Sequence, residues 1–317
     1  MKVLVTGANG FAGSWLVRRL LAENHEVVGA VGAAAAGGAG LLTEEEKARV
    51  RWLQFDLADA GSIARLAAIP TDAVVHLAAI SSVSDSLRDP GLTWELNAVG
   101  TARLMGALAE RRAMGAMDPV VLVVSTGEVY GPGEPRRRRE DDPLRPCSPY
   151  AASKAGAELA ALETWRRTGL RVVVARPFPH TGPGQSTRFV IPAFAQRIVV
   201  ARKARAPVVK VGNLDPVRDL LDVRDVADAY LALLARGSPG EIYNVASGTG
   251  HRLEVVFHRL AEVAGHQAIP EVDPNLARAV DVPHLVGDPG CLQAATGWTP
   301  RIPLDQTLHD VLNAQAD

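Results

Sequence analysis

The chain has 317 residues, 47% of them apolar, and a formal net charge of −1. That length fits one large domain or two modest ones, and the balanced charge gives no pull toward nucleic acid or an acidic membrane surface. Its two cysteines, Cys147 and Cys291, make neither a disulfide framework nor a metal spacing, so a metal-free protein of the reducing cytosol is expected.

The elements alternate from the start. MKVLVTG opens on a short apolar run ending in glycine, which predicts a buried parallel strand and no secretory leader. SWLVRRLLAEN has helical spacing, EVVGAV is a second strand, VRWLQF a strand-like run, and DAVVHLAA a further strand. One long helix is predicted over GLTWELNAVGTARLMGALAERRA. PVVLVVST then reads as a strand, YAASKAGAELAALETWRRTG as a helix and RVVVARPF as a strand. This βαβα order predicts a Rossmann-like, doubly wound parallel sheet with helices on both faces. After residue 177 the pattern loosens into shorter elements. DVRDVADAYLALLARG and EIYNVASG still read as a helix and a strand, and the tail as helices joined by loops. No run nears the roughly 18 apolar residues of a membrane span.

Three glycines carry the first chemical signal. Thr6–Gly13 reads TGANGFAG, placing Gly7, Gly10 and Gly13 between a strand and a helix. Glycine lets backbone approach a pyrophosphate, and the helix N-terminus supplies unpaired N–H groups. Asp56, at the end of VRWLQF, suits either an adenine amino group or a helix cap. The small residues of HLAAISS leave room for a cofactor, with His76 itself in the core.

The second signal lies at the carboxyl edge of the predicted sheet, where open α/β sheets bind ligands. STGEVYG brings Ser125 and Thr126 there. Tyr150 and Lys154 follow, four apart on one helical face, in a chain with only four Tyr and five Lys. A neighbouring ammonium lowers a phenol's pKa and fits it for proton transfer.

TGANGFAG, HLAA, STGEVYG, SPYAASK and ARPF, in this order, resemble the extended short-chain dehydrogenase/reductase family over essentially the whole chain. The resemblance implies Tyr150 as acid/base, Lys154 as its modulator and ribose ligand, and Thr126 as the residue orienting substrate. It implies cofactor contacts from Gly7, Asn9, Gly10, Phe11, Ala12, Gly13, Asp56, Leu57, Leu77, Ala78, Ala79 and Pro177, besides Tyr150 and Lys154. HTGPGQSTRFV, VRDLLDVRDV and GWTPRIPLDQTL are similar to the GDP-4-dehydro-6-deoxy-mannose reductase branch. That branch implies a nucleotide-sugar substrate, with the diphosphate on Arg218 and Arg278 and further contacts from Ser81, Thr126, Glu128, Pro179, Gln185 and Lys210. The expected reaction is NAD(P)H-dependent reduction of a GDP-linked 4-keto-6-deoxy sugar. Alternatives are a 4,6-dehydratase or C4-epimerase with tightly held cofactor, and a non-catalytic dinucleotide sensor. Glu128 fits either enzyme, since dehydratases use a Glu there as a base.

Two positions depart from the pattern. Pro179 replaces the Asn usual in relatives, which removes one polar contact. Val31–Ala36 carries neither the acid that binds an NAD ribose nor an Arg for a 2′-phosphate. NAD and NADP are both open, with a lean to NADPH. RRRREDD, residues 136 to 142, reads as a solvated loop that neutralises itself. The expected units are a dinucleotide-binding domain of 1–177 with 218–248, and a smaller mixed substrate domain of 178–217 with 249–317. The family's habit of pairing its two long helices across a two-fold axis leads to an expected homodimer.

Overall fold

A computed structural model describes residues 1–32, 41–276 and 281–316. Strands β1 (Lys2–Thr6), β2 (Glu26–Val31), β3 (Val50–Gln54), β4 (Ala73–His76), β5 (Val120–Val124) and β6 (Arg171–Pro177) alternate with helices. These are α1 (Phe11–Ala22), α2 (Glu44–Ala48), α3 (Ala60–Ala67), α4 (Val83–Arg88), α5 (Pro90–Trp94), α6 (Gly100–Ala113) and α7 (Pro149–Thr168). Next come β7 (His180–Thr181), α8 (Val190–Ala204), β8 (Val208–Val211), β9 (Val217–Asp219), β10 (Leu221–Asp222), α9 (Val223–Arg236) and β11 (Ile242–Val245). The chain closes with β12 (Gly250–Arg252), α10 (Leu253–Val263), β13 (Ile269–Val272), β14 (His284–Leu285), α11 (Gly290–Thr296) and α12 (Leu304–Ala316).

Seven strands form one parallel sheet in the order β3-β2-β1-β4-β5-β6-β11. Strand side chains alternate between its faces, as a pleat requires. Val3, Val5, Val75, Leu122 and Val173 pack on α1 and α9. Leu4, Val74, Val121, Val123 and Val172 pack on α3, α6 and α7. Both faces are therefore covered, which explains the nearly unbroken apolar runs.

A third core joins α8, α10 and α12 over β8. Small sheets flank it: β10 beside β7, β9 between β12 and β14, and β13 beside β8. A fourth cluster, including Tyr130, Phe178, Val282 and Leu285, binds β14 to the end of β6. Among the described residues no helix is long and apolar enough to cross a membrane, no cluster could hold a metal, and Cys147 and Cys291 are both free thiols.

The helix expected from Gly91 to Ala113 is three segments. α5 begins at Pro90 with Asp89 as its cap, residues Glu95–Val99 form a π turn, and α6 completes the run. The cause is Asn97. Its carboxamide clasps Ile80, accepting from the backbone N–H (2.8 Å) and donating to the carbonyl (3.0 Å). It also donates to Ser153 Oγ at 2.9 Å. Widening the helix by one residue lets that side chain reach both partners.

Candidate active site

The glycine loop is built for close approach. Gly7 has φ +70°, and a Cβ on Gly13 would fall 2.1 Å from the Gly7 carbonyl oxygen. Gly10 stands at the N-cap of α1 with no side-chain cap, so the first-turn N–H groups of this 12-residue helix are left for a ligand. That cradle fits a dinucleotide pyrophosphate. Asn9, Phe11 and Ala12 belong to the same turn, and Phe11 lies parallel to the His180 imidazole, centroids 6.2 Å apart. Gly7 abuts the backbone of Leu77 and Ala78 across the loop.

Asp56 is exposed and is not the helix cap. Asp59 caps α3, accepting from Gly61 and Ser62, while Asp56 only turns its own backbone through Ala58 N–H (2.9 Å). Leu57 is buried against Gly100. Of the stretch Val31–Ala36, residues 33–36 lie outside the described residues, as does Arg278.

His76 is a core residue, as expected. Thr101 gives its own proton to the Asn97 carbonyl (2.6 Å), so its oxygen accepts from His76 Nε2–H at 3.0 Å. His76 Nδ1 then accepts from Thr6 Oγ1 (2.8 Å), whose oxygen takes the Ala78 N–H. This chain fixes the neutral Nε2–H tautomer. Burial first, then the Lys154 charge, depresses the imidazole pKa to about 3.

Tyr150 and Lys154 sit in the first turns of α7, which Ser148 caps by accepting from Ala151 N–H. Thr126 and Glu128 both act on the Tyr150 phenol, and Thr126 Oγ1 accepts from Glu128 N–H at 3.2 Å. Burial raises the phenol's pKa most, Glu128 raises it further, and the Thr126 hydroxyl pulls it down. The expected lowering of the phenol by Lys154 is therefore not what this geometry produces. Lys154 is only 5% exposed. Burial lowers its pKa to about 8, with Glu158 opposing. Two neighbouring groups are thus poised toward neutrality by desolvation.

A pocket that includes Glu128 and the Ser148 cap is lined further by Val83, Cys147, Arg218, Asp281, Val282 and Leu285. Arg218 donates to Asp281 and to the carbonyls of Val282 (2.6 Å) and Val217 (2.9 Å). Ser81 is exposed just before the Ser82 cap of α4. Pro177 ends β6 beside Val245. The Pro179 carbonyl accepts from Leu221 N–H at 3.0 Å, so the one acceptor proline retains is occupied by backbone. Gln185 donates to the His180 carbonyl (3.0 Å), and its buried Oε1 has no partner among the described residues. Lys210 is not in the pocket. It is exposed on the β8–β13 ribbon, 3.8 Å from Asp273.

Sequence reasoning missed Asn97, which ties the exit of β4 to Ser153, whose hydroxyl donates to the Tyr150 carbonyl at 2.8 Å. Its only trace was a polar residue within an apolar helical run. It also missed the Tyr130 network. There Arg176 forms a bidentate pair with Glu158 (3.0 and 2.8 Å) and donates to Tyr130 Oη (2.9 Å), which donates to Asn244.

A family model described as GDP-mannose 4,6 dehydratase matches residues 4–311. The chain is 36% identical over 263 residues to the GDP-6-deoxy-D-mannose reductase of Pseudomonas aeruginosa, covering 82% of this chain and 85% of that protein. Among solved structures, that of RMD from Pseudomonas aeruginosa complexed with NADPH has a TM-score of 0.81 at 33% identity, covering 99% of this chain and 98% of that one. The Thermus thermophilus UDP-glucose 4-epimerase complex with NAD has a TM-score of 0.85 at 33% identity, covering 99% of each chain.

Proposed function

The chain belongs to the GDP-mannose 4,6-dehydratase family, and from that premise we propose that it is an NADPH-dependent reductase of a GDP-linked 4-keto-6-deoxy sugar. The observation that carries this reading is that Thr126 and Glu128 both act on the Tyr150 phenol, Thr126 Oγ1 accepting from Glu128 N–H, with Glu128 also lining a pocket that holds Arg218. The Gly7–Gly13 turn and the uncapped start of α1 hold the pyrophosphate, and Lys154 the nicotinamide ribose. When bound, reduced nicotinamide supplies the hydride. Thr126 orients the sugar's keto oxygen, and Tyr150 delivers a proton to that oxygen as the carbonyl becomes a hydroxyl. A raised phenol pKa keeps that proton in place until substrate arrives. Arg218 binds the diphosphate. The product is of the GDP-rhamnose type. The relatives named for NADPH and for GDP-6-deoxy-D-mannose support this choice of cofactor and sugar.

A second reading has one observation in its favour. Glu128 acts on the Tyr150 phenol from within the pocket, where a 4,6-dehydratase or C4-epimerase would need a base. The two readings separate on mixing cofactor-stripped protein with GDP-mannose, UDP-glucose and their 4-keto derivatives, with and without NADPH. Stoichiometric loss of reduced-nicotinamide absorbance with the 4-keto GDP-sugar supports the reductase. Turnover without added cofactor would replace it with the second reading.

The same proposal includes a cofactor unit of 1–177 with 218–248, a substrate unit of 178–217 with 249–317, and a homodimer. Leu92, Trp94, Val99 and Leu159 are exposed on α5, the π turn and α7, an apolar surface suited to a second copy. A monomer mass by light scattering at micromolar concentration would refute the dimer.

A further inference from the structure

The pocket that carries Glu128 and Arg218 is nearly shut. It encloses a cavity of only about 20 Å³, room for a single water molecule, whereas pockets that take small molecules span about 300–1,000 Å³. Most of its walls are rooted. Val282 and Leu285 belong to the buried cluster around Phe178. Glu128 stands in a turn whose Val129 and Tyr130 lie in the same cluster. Arg218 is held by the carbonyls of Val217 and Val282, and Cys147 and Ser148 lead into the 20-residue α7. Val83 is the exception. It begins α4, a helix of six residues with Ser86 as its single buried side chain. Among the described residues, none from α4 belongs to the four apolar cores.

What ties α4 to the rest of the molecule is electrostatic. Most of its side-chain bonds are internal: Ser82 Oγ accepts from Asp85 N–H (3.3 Å), and Ser86 Oγ donates to the Val83 carbonyl (2.8 Å). Asp85 reaches outside. Arg188, just ahead of α8, donates through Nη2 to Asp85 Oδ2. Arg88, one turn on in α4, stands 3.5 Å from the other carboxylate oxygen and does not displace it. Among the described residues, Asp85–Arg188 is the one hydrogen bond from an α4 side chain to another part of the chain. It therefore ties the wall that carries Val83 to the segment leading into α8.

We propose that the Asp85–Arg188 pair is a latch that keeps the empty pocket closed, and that a nucleotide sugar enters only when α4 swings free of Arg188. This rests on the nucleotide-sugar reading of the pocket. Both side chains reach solvent, 29% exposed for Asp85 and 58% for Arg188. A pair this exposed shifts an equilibrium by only about two- to fivefold. That is enough to slow entry and too little to forbid it. Because binding requires the open form, association rate and affinity both scale with its population.

The test is stopped-flow binding of GDP-mannose and UDP-glucose to the full-length protein, using wild type, Asp85→Asn, Arg188→Gln and a double variant that swaps the charges, Asp85→Arg with Arg188→Asp. NADPH affinity serves as the control for an intact fold. In each single variant the association rate should rise about two- to fivefold with dissociation unchanged, and the swapped pair should return the rate toward wild type. Single variants at the wild-type rate overturn the latch. A loss of affinity in Arg188→Gln alone also overturns it, and makes Arg188 a ligand of the substrate. Hydrogen–deuterium exchange over residues 83–89 reads the same opening with no sugar present. The amides of Ser86 and Asp89, which bond the Ser82 and Asp85 carbonyls, should exchange about two- to fivefold faster in both single variants. Unchanged exchange overturns the latch by itself. A wild type that binds NADPH but neither sugar nucleotide removes the nucleotide-sugar reading, and the exchange rates then decide the latch alone.

Discussion

Tyr150 and Lys154 stand one turn apart on α7, and burial moves both toward their neutral forms: the phenol upward, the ammonium down to about 8. Besides burial, an acid, Glu128, raises the phenol's pKa and a hydroxyl, Thr126, lowers it. A site arranged this way holds a proton on Tyr150 rather than a phenolate. Proton donation to a substrate oxygen is the task it suits in the resting state.

Removing the phenolic oxygen tests that role. In Tyr150→Phe, turnover of the 4-keto GDP-sugar should fall about 100- to 10,000-fold, the usual span for a positioned acid. Affinity for NADPH should remain within a small factor, because the glycine cradle is untouched. Stopped-flow assay and fluorescence titration of NADPH measure the two. Retained turnover would remove Tyr150 from the chemistry. Unchanged biological effect with no turnover in wild type would favour a dinucleotide sensor.

Lys154 gives a pH prediction for stability. Folded Lys154 titrates at about 8 against a usual 10.5. Between those values the unfolded chain keeps the proton that the folded chain has lost. The unfolded state then binds more protons, so stability rises with pH across that window. Below about 8 the cost of the buried ammonium is fully present. Lys154→Met should therefore be the more stable form near pH 7 by on the order of 3 kcal/mol, and the gap should close toward pH 10. Urea denaturation of the cofactor-free proteins at both ends checks it. A gap independent of pH would show that packing, not charge, decides.

The glycine cradle predicts a sharper loss. Gly13→Ala places a methyl 2.1 Å from the Gly7 carbonyl oxygen, which backbone cannot accommodate without moving. The cradle must open, and NADPH affinity should drop at least about tenfold, a loss of about 1.4 kcal/mol or more. Gly106→Ala is the control, since nothing lies within 4 Å of its added Cβ. Equal affinities in the two variants would contradict this account.

Much of the fold was legible because its strands are buried on both faces. β1, β2, β4, β5 and β6 carry apolar runs that only a covered parallel sheet explains. β7, β9, β10, β12 and β14 have two or three residues each, and distant partners specify them, as Val217 of β9 pairs with Arg252 and His284. α8 hid in an apolar stretch interrupted by Pro192. At the site, Gly7–Gly13, Thr126, Tyr150 and Lys154 were legible from spacing. The burial of Arg138 was not. Its neighbours make a solvated charge run, and its burial depends on Val286 and Asp288, almost 150 residues away. The influence on the Tyr150 phenol was misjudged for a related reason. Helical spacing sets which residues share a face, but desolvation and Glu128 outweigh the shared turn.

Pro179 supports the last prediction. The Asn usual in relatives offers a carboxamide, and here that side chain is replaced by a ring. The structure shows that the Pro179 carbonyl is already engaged by Leu221 N–H, so it has a backbone role. An Asn at this position keeps that carbonyl bond and adds a donor and an acceptor of its own. If the pocket takes a GDP-sugar, Pro179→Asn should tighten GDP-mannose by about tenfold, the worth of one hydrogen bond to a charged or polar group. The rival account gives the missing contact to Gln185, whose buried Oε1 has no partner among the described residues, or to His180, whose Nδ1 already meets the Phe178 carbonyl at 3.1 Å. Under that account Pro179→Asn changes nothing, and Gln185→Leu alone weakens binding. Measuring the dissociation constant of GDP-mannose for wild type and both variants separates the two. A weaker constant in Pro179→Asn would mean that the ring shapes the pocket, and that this chain takes a different sugar nucleotide from its relatives.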